Sequence, residues 1–239
     1  MTDFYKRLCQ QTERERQDLV SIPVIQRALL GQIDRHQYLA FLTQAYHHVR
    51  HTVPLLMALG SRLSDRHAWM QKAVAEYIEE EVGHEHWILN DIRAVGGDPD
   101  AVRMSCPDFS TEVMVSHAYH LIDRRNPLGF FGMVHVLEGT SIALASLAAE
   151  KIADVLSLPP QAFSYLNSHG SLDLDHVKFF EMLMNQVEEP QDQEEIIHAA
   201  RVFYRLYGNV FRSLPQTPAP LWGETEPAEA PVTSELTHV

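Results

Sequence analysis

Carboxylate and imidazole side chains interrupt three apolar segments of this sequence. Each segment carries one to three such residues at spacings that bring them to one face of a helix. They are Glu81, His84, Glu138, His169, Asp173 and His176. Three carboxylates and three imidazoles suffice to hold two first-row metal ions that share a bridging carboxylate, and they leave coordination positions for water or dioxygen.

The pair Glu81 and His84 falls within one predicted helix. An advance of about 100° per residue places both in the middle of an otherwise apolar stripe, one turn apart, which is a spacing that helical bundles use to bind metals. Glu79 and His86 fall on the opposite side, where we expect solvent. A helix that only carries a charged surface is the alternative for this segment.

Glu138 lies in a stretch, residues 129–145, that is apolar nearly all round and therefore predicts a buried central helix. An ionised carboxylate in such a place is costly unless it is paired or bound to a metal, so a buried arginine or a helix cap is the alternative partner. His169, Asp173 and His176 follow i, i+4, i+7 spacing and share one predicted face. A polar cluster that satisfies its own hydrogen bonds is the alternative there.

The donor types favour iron or manganese. A structural zinc site is closed by four ligands and favours sulfur, whereas calcium and magnesium prefer oxygen alone. Zinc and cobalt are not excluded by ligand type. Cys9 and Cys106 are too few for a disulfide framework and too far apart for a cysteine zinc site.

Helical periodicity extends through most of the chain, and strand alternation is nearly absent. We therefore predict an all-α protein of seven to eight helices, with a single domain over residues 1–214 and a disordered Pro/Glu/Thr-rich tail over 215–239. Pro54 is expected to kink the third helix. The predicted helices are Asp3–Ser21, Val24–Leu30, Arg35–Leu63, Asp65–Val95, Ser110–Asp123, Leu128–Leu156, Pro160–Val187 and Gln191–Ser213.

The charge of the chain argues against a nucleic-acid or anionic-membrane partner. Lys and Arg number 19 against 32 Asp and Glu, a net charge of −13, so no basic surplus exists to neutralise phosphates. No apolar run approaches the ~20 residues that span a bilayer, and no signal peptide is recognisable. We expect a cytoplasmic protein whose partner is a small molecule.

The combination of Glu81-x2-His84, a lone Glu138 on an apolar helix, and His169-x3-Asp173-x2-His176 resembles the heme-oxygenase-like diiron oxidase and oxygenase family, over roughly residues 5–213. That family shares its fold with TenA-type thiaminases, pyrroloquinoline-quinone synthase and heme oxygenase.

The resemblance implies a heme-oxygenase-like bundle and the six metal ligands named above. It also implies a cofactor of two non-heme iron ions (or an Fe/Mn pair), dioxygen as co-substrate and a homodimer. Some members take the first histidine from a longer Glu-x6-His spacing, for which Glu79 and His86 would be the pair.

Three further residues are candidates for the substrate pocket. Tyr46 and Arg50 belong to a polar stretch of the third predicted helix, where Arg50 could bind a substrate carboxylate and helix packing is the alternative role. His135 lies one turn before Glu138 and could orient it, or could be a core histidine.

The leading functional hypothesis is a non-heme dinuclear-iron oxidoreductase that oxidises a small organic substrate inside the bundle. The alternative is a metal-free or degenerate TenA-like protein that binds a small molecule, or a thiamin-pathway hydrolase. A thiaminase would need a nucleophilic cysteine in the central pocket, and heme oxygenase would need an early histidine, which the first 35 residues lack.

Overall fold

The computed structural model describes residues 3–171 and 173–216, with the side chains of 142–143, 169–171 and 173–176 left out. The described residues are helical and contain no strand, so the all-α prediction is confirmed. The helices are α1 (Phe4–Val20), α2 (Pro23–Leu29), α3 (Arg35–Val49), α4 (Thr52–Arg62), α5 (Gln71–Glu81), α6 (His84–Val95), α7 (Pro99–Met104), α8 (Phe109–Arg124), α9 (Phe130–Leu156), α10 (Ser164–Ser171), α11 (Asp173–Met184) and α12 (Pro190–Ser213), with 3-10 turns at Asp65–Met70, Pro127–Gly129 and Pro160–Phe163.

Several helix ends follow from local chemistry. The carboxylate of Asp34 accepts from the backbone N–H of Gln37, and the Gln37 side chain accepts from the backbone N–H of Asp34, so a capping box starts α3. Asp98 caps α7 with Pro99 at its first position, and Pro190 starts α12 in the same way. Proline suits a first turn because its missing N–H has no helical partner there.

Helices α9 and α12 form the centre of the fold. Helix α12 packs along α9, α1 and α8, while α10 packs on the second half of α9 and on α6. One cluster of buried apolar side chains surrounds the first half of α9. A second cluster lies between the second half of α9 and helices α3, α6 and α10. The core is thus divided along α9, and the candidate site lies where the halves meet.

Gly132 allows the close contact between the two central helices. A Cβ placed on it would lie 2.5 Å from the backbone nitrogen of Ala200 and 2.8 Å from the carbonyl oxygen of Ile196. No side chain fits there, so the distance between α9 and α12 depends on this glycine.

A buried carboxylate ties the start of α12 to the rest of the bundle. Asp192 accepts from the His67 imidazole at 2.9 Å, from Asn126 Nδ2 at 2.6 Å and from the Arg66 guanidinium at 3.1 Å. Because these donors compensate the cost of burying the charge, Asp192 holds α12 against the turns before α5 and α9.

Helix α9 bends next to Glu138. The segments Pro127–Ser141 and Leu144–Leu156 meet at 43°, and the Thr140 hydroxyl donates to the Val136 carbonyl at 2.6 Å, a bond that bends helices. Within the described part of the chain, no single helix is long and apolar enough to cross a membrane. The two segments taken together reach that length and apolar composition, but they are bent relative to each other.

Three of the predicted helices are wrong in their continuity. The predicted helix Arg35–Leu63 is interrupted at Arg50 and His51 rather than kinked at Pro54, because the proline ring collides with the carbonyl four residues before it and fits the first turn of α4. The predicted Asp65–Val95 is a 3-10 turn followed by α5 and α6, and Pro160–Val187 is a 3-10 turn followed by α10 and α11. Most of the predicted tail lies outside the described residues.

Candidate metal centre

Glu81 and Glu138 line one cavity in the middle of the bundle. The cavity has a volume of about 70 Å³, and helices α3, α4, α5, α9, α10 and α12 contribute to its wall. Apart from the two carboxylates, its described polar lining consists of His48, two hydroxyl residues and three tyrosines. Two carboxylates from different helices in a largely apolar cavity indicate a site for a cation.

His84 extends the donor set at the Glu81 end. Its Nδ1 lies 3.0 Å from Glu81 Oε2, and its side chain is only 5% exposed. The imidazole stacks on the Trp87 indole, with ring centroids 4.1 Å apart. Two donors bound to one ion at about 2.1 Å each lie about 3 Å apart at ordinary coordination angles, so this separation fits a shared metal ion.

The contact between Glu81 and His84 does not arise from helical register. Helix α5 ends at Glu81, α6 begins at His84, and Gly83 between them has a φ of 94° that ends the first helix. The prediction of one continuous stripe through both residues is wrong, because this backbone conformation is incompatible with a helix interior. The two side chains meet across the break instead.

We expect Gly83→Ala to disturb this arrangement without steric conflict. A Cβ at Gly83 would have His86 Cδ2 as its nearest neighbour at 4.0 Å, so only the positive φ opposes it, at a cost of about 1–2 kcal/mol. Urea unfolding should show this loss and a weaker one for Gly83→Asn, since asparagine tolerates left-handed backbone better. Equal stability of Gly83→Ala and the parent protein would contradict the positive φ at Gly83.

The Tyr77 hydroxyl supplies a further polar atom in the cavity. It is buried and has no hydrogen-bond partner among the described residues. Burial, followed by the nearby charges of Glu138, Glu80 and Glu81, raises the pKa of Tyr77 far above its ordinary value. The hydroxyl therefore keeps its proton and can donate to whatever occupies the cavity.

His48 lines the same cavity from α3. Its Nδ1 lies 2.9 Å from the Gln44 carbonyl oxygen one turn earlier, so Nδ1 carries the proton and donates to it. That bond fixes the ring orientation, as in many metal-binding histidines. The sequence analysis missed His48 because it selected Tyr46 and Arg50 from the same polar stretch, and periodicity alone does not show which residue of that stretch faces the cavity.

The third group of predicted ligands lies outside the described side chains. His169 belongs to α10, and Asp173 and His176 belong to α11. Of the two helices, α10 packs on α6 and α9, and α11 packs on α9. The segments bearing His84, Glu138 and His169 are thus neighbours.

Asp91 holds α10 against α6. This buried carboxylate accepts from the backbone N–H groups of Ser164 at 2.9 Å and Tyr165 at 2.8 Å, the first two residues of α10. Burial raises the pKa of Asp91, and these hydrogen bonds oppose that shift. Asp91, on α6 with His84, thus caps α10, the helix that contains His169, and so helps to position it. Helical periodicity in the sequence did not indicate this role.

The alternative ligands and the pocket candidates lie elsewhere. Glu79 is exposed, and the His86 side chain is 67% exposed with its Nε2 3.6 Å from Glu85. Tyr46 is buried and Arg50 is exposed, with the guanidinium 5.4 Å from the Tyr46 ring centroid. Neither Tyr46 nor Arg50 lines the cavity beside Glu138.

His135 is a core histidine bonded to α1. Its Nε2 lies 3.2 Å from the Thr12 hydroxyl, its ring packs among Tyr5, Phe180 and Tyr204, and it does not line the cavity. Burial lowers the pKa of His135 from 6.5 to about 4.

We expect acid to destabilise the protein partly through His135. The unfolded chain takes up this proton below about pH 6.5 and the folded protein only near pH 4, so the stabilisation is complete above pH 6.5 and disappears as the pH falls. Between pH 7 and pH 4.5, the free energy of unfolding of His135→Gln, measured with urea, should fall by about 2 kcal/mol less than that of the parent protein. Identical pH dependence would show that His135 is not buried as a neutral ring.

The described donors fit part of an iron site. No group of three or more His, Cys, Asp or Glu side chains is gathered at metal-binding distances within residues 3–171 and 173–216, apart from the side chains left out. The mixed carboxylate and imidazole donors, with the protonated Tyr77 hydroxyl beside them, suit iron or manganese and require further ligands.

The fold is heme-oxygenase-like. A Shewanella denitrificans domain of unknown function with this fold aligns with a TM-score of 0.80 at 21% identity, over 87% of this chain and 90% of that one. Heme oxygenase from Leptospira interrogans aligns at 0.71 and 13%, over 89% and 100%. A TenA homologue from Pseudomonas syringae aligns at 0.72 and 9%, over 88% and 92%.

Residues 39–208 match the model of a family described as iron-containing redox enzyme, and the chain belongs to this family. Comparison with curated proteins finds no match. The family covers the segments that carry all six predicted ligands, and its description names iron.

Proposed function

We propose that the protein is a non-heme dinuclear-iron, or Fe/Mn, oxidoreductase that uses dioxygen to oxidise a small organic substrate inside the bundle. One observation carries the proposal: Glu81 and Glu138 line the same cavity, with His84 Nδ1 3.0 Å from Glu81. Membership of a family of iron-containing redox enzymes supports it. A bound iron pair would supply the electrons that reduce dioxygen.

The protein residues have separate tasks in this proposal. Glu81, His84 and Glu138 hold metal, together with His169, Asp173 and His176 from α10 and α11. The Tyr77 hydroxyl, kept protonated by burial, donates a hydrogen bond into the cavity. Apolar residues of α4 and α9 complete the wall and exclude water, which strengthens every electrostatic interaction inside.

Metal loading tests the proposal. Titration of the metal-free protein with ferrous iron under anaerobic conditions should end near two equivalents per chain. His176→Ala should bind less, and His86→Ala should match the parent protein because that imidazole is exposed. Absence of iron binding by the parent protein, or equal binding by both variants, would contradict the proposal. Gel filtration beside standards tests the proposed homodimer.

A TenA-like activity is the second candidate, and it rests on the similarity of fold. Neither Cys9 nor Cys106 lines the cavity beside Glu138, and Cys106 is exposed. Burial raises the pKa of the Cys9 thiol, which makes it a poor nucleophile. Thiamin cleavage that persists in EDTA would overturn the iron proposal in favour of this one.

A further inference from the structure

Ser64, His67 and Asp192 form a hydrogen-bonded chain near the start of α12. The Ser64 hydroxyl oxygen lies 3.2 Å from His67 Nδ1, and His67 Nε2 lies 2.9 Å from Asp192 Oδ2. None of the three residues lines the cavity beside Glu138. A hydroxyl, an imidazole and a carboxylate joined in this order are the groups that nucleophilic acyl transfer requires.

The hydrogen bonds of His67 select one tautomer of its ring. An ionised carboxylate only accepts hydrogen bonds, so the neutral imidazole carries its proton on Nε2 and donates it to Asp192. Its Nδ1 is then unprotonated and accepts from the Ser64 hydroxyl. This direction of donation is the one in which an imidazole can remove the proton of an attacking serine.

The Ser64 hydroxyl is directed to the imidazole instead of the backbone. Ser64 occupies the N-cap position of the 3-10 turn Asp65–Met70, where a serine side chain ordinarily accepts from a backbone N–H. Its side chain makes no such capping hydrogen bond. The contact with His67 is therefore not a by-product of helix capping.

The nucleophile is open to solvent while its two partners are shielded. Ser64 is exposed, whereas His67 is 6% and Asp192 2% exposed. Ser64 lines a surface groove with a volume of about 470 Å³, formed by the end of α4, the turn before α5, the turn before α9 and the start of α12. A substrate can thus reach the hydroxyl without entering the bundle.

Three arginines, Arg62, Arg66 and Arg125, line the same groove, which we call the arginine groove. Among its described lining residues Glu195 is the one carboxylate, although the whole chain has a net charge of −13. Each guanidinium uses one nitrogen on a protein carboxylate, at 2.8, 3.1 and 3.2 Å. Further N–H donors remain on each for an anionic group of a substrate or for the charge that develops on a carbonyl oxygen.

We propose that Ser64 and His67 are the nucleophile and the general base of an ester-hydrolysing site, and that the arginine groove selects esters whose acyl part carries a carboxylate. The Ser64 oxygen bonds to the acyl carbon while its proton moves to His67 Nδ1 and the carbonyl electron pair moves to oxygen. The alcohol leaves with that proton. Water, deprotonated by the same imidazole, then releases the carboxylic acid and restores Ser64. Asp192 is a positioning residue, and no step uses a metal.

Covalent labelling tests the nucleophile. The metal-free full-length chain in EDTA, treated with diisopropyl fluorophosphate, should release fluoride and carry one adduct, which peptide mass spectrometry places on Ser64. Ser64→Ala should remain unlabelled. Ser61→Ala should be labelled like the parent protein, because that exposed serine donates to the Ala58 carbonyl and lies outside the groove. Absence of an adduct, or equal labelling of Ser64→Ala, overturns the proposal.

Hydrolysis of two aryl esters of matched length tests the base and the substrate class. Under the same conditions, 4-nitrophenyl hydrogen adipate should give a burst of 4-nitrophenolate and a kcat/KM about fivefold above that of 4-nitrophenyl hexanoate, an advantage that salt removes. Ser64→Ala and His67→Gln should each lower kcat about a hundredfold or more. Unchanged kcat in either variant overturns the site, and equal kcat/KM for both esters overturns the assigned substrate class.

Asp192→Asn tests the positioning role. The amide can donate to Nε2, which would place the ring proton on Nδ1 and leave it unable to accept from Ser64. We expect kcat for the adipate ester to fall while KM stays within about twofold, with thermal unfolding confirming that the variant is folded. An unchanged kcat, or a rise in KM that accounts for the loss, would show that Asp192 only holds α12 in place and would contradict the proposal.

Discussion

Glu138→Gln should abolish the stabilisation of this protein by ferrous iron. A metal that binds only the folded state at a hundred times its Kd stabilises it by about 2.7 kcal/mol, which raises the Tm of a chain of this size by about 5–10 °C. The amide keeps the shape of the side chain but removes the charge that a cation needs. Anaerobic thermal unfolding with and without iron measures the difference.

The matched control is Glu79→Gln. Glu79 lies on the same helix as Glu81 but is exposed, so its replacement should leave the iron-dependent rise in Tm unchanged. Far-UV circular dichroism of the metal-free variants shows whether both fold. A rise in Tm as large for Glu138→Gln as for the parent protein would remove Glu138 from the ligand set.

Gly132→Ala should cost about 2 kcal/mol or more. The new methyl group would lie 2.5 Å from the Ala200 nitrogen and 2.8 Å from the Ile196 oxygen, which are backbone atoms that move only if α9 and α12 separate. Such overpacking outweighs the roughly 1 kcal/mol that alanine gains over glycine within a helix. Urea unfolding and a fall in Tm measure the loss.

Gly139→Ala on the same helix should have the opposite sign. A Cβ there meets nothing within 4 Å, so only the better helix propensity of alanine acts and the protein should gain up to about 1 kcal/mol. Because the two substitutions are chemically identical, their difference isolates the contact between α9 and α12. Destabilisation by Gly139→Ala equal to that of Gly132→Ala would show that this contact is not the cause.

Helical periodicity predicted the helices well where residues such as proline marked their ends. The prediction Gln191–Ser213 differs from α12 by one residue because Pro190 and Pro215 bracket it, and Ser110–Asp123 lies within α8 for a similar reason. Periodicity missed the short α7, and it overlooked Gly83, whose positive φ divides α5 from α6. One glycine in a charged helical pattern looks tolerable until the backbone is known.

The sequence by itself determined the all-α class, the family resemblance and the exposed position of Glu79 and His86, because each depends on residue type and short-range periodicity. Only the tertiary structure decided that Glu81 meets His84 across a helix break and shares a cavity with Glu138. The structure also shows that His48 and Tyr77 line this cavity. The predicted pocket residues Tyr46, Arg50 and His135 do not line it. Those facts depend on contacts between segments distant in the chain. The packing of α9 against α12 and α10, and of α5 against α4, sets these contacts, and no local pattern encodes them.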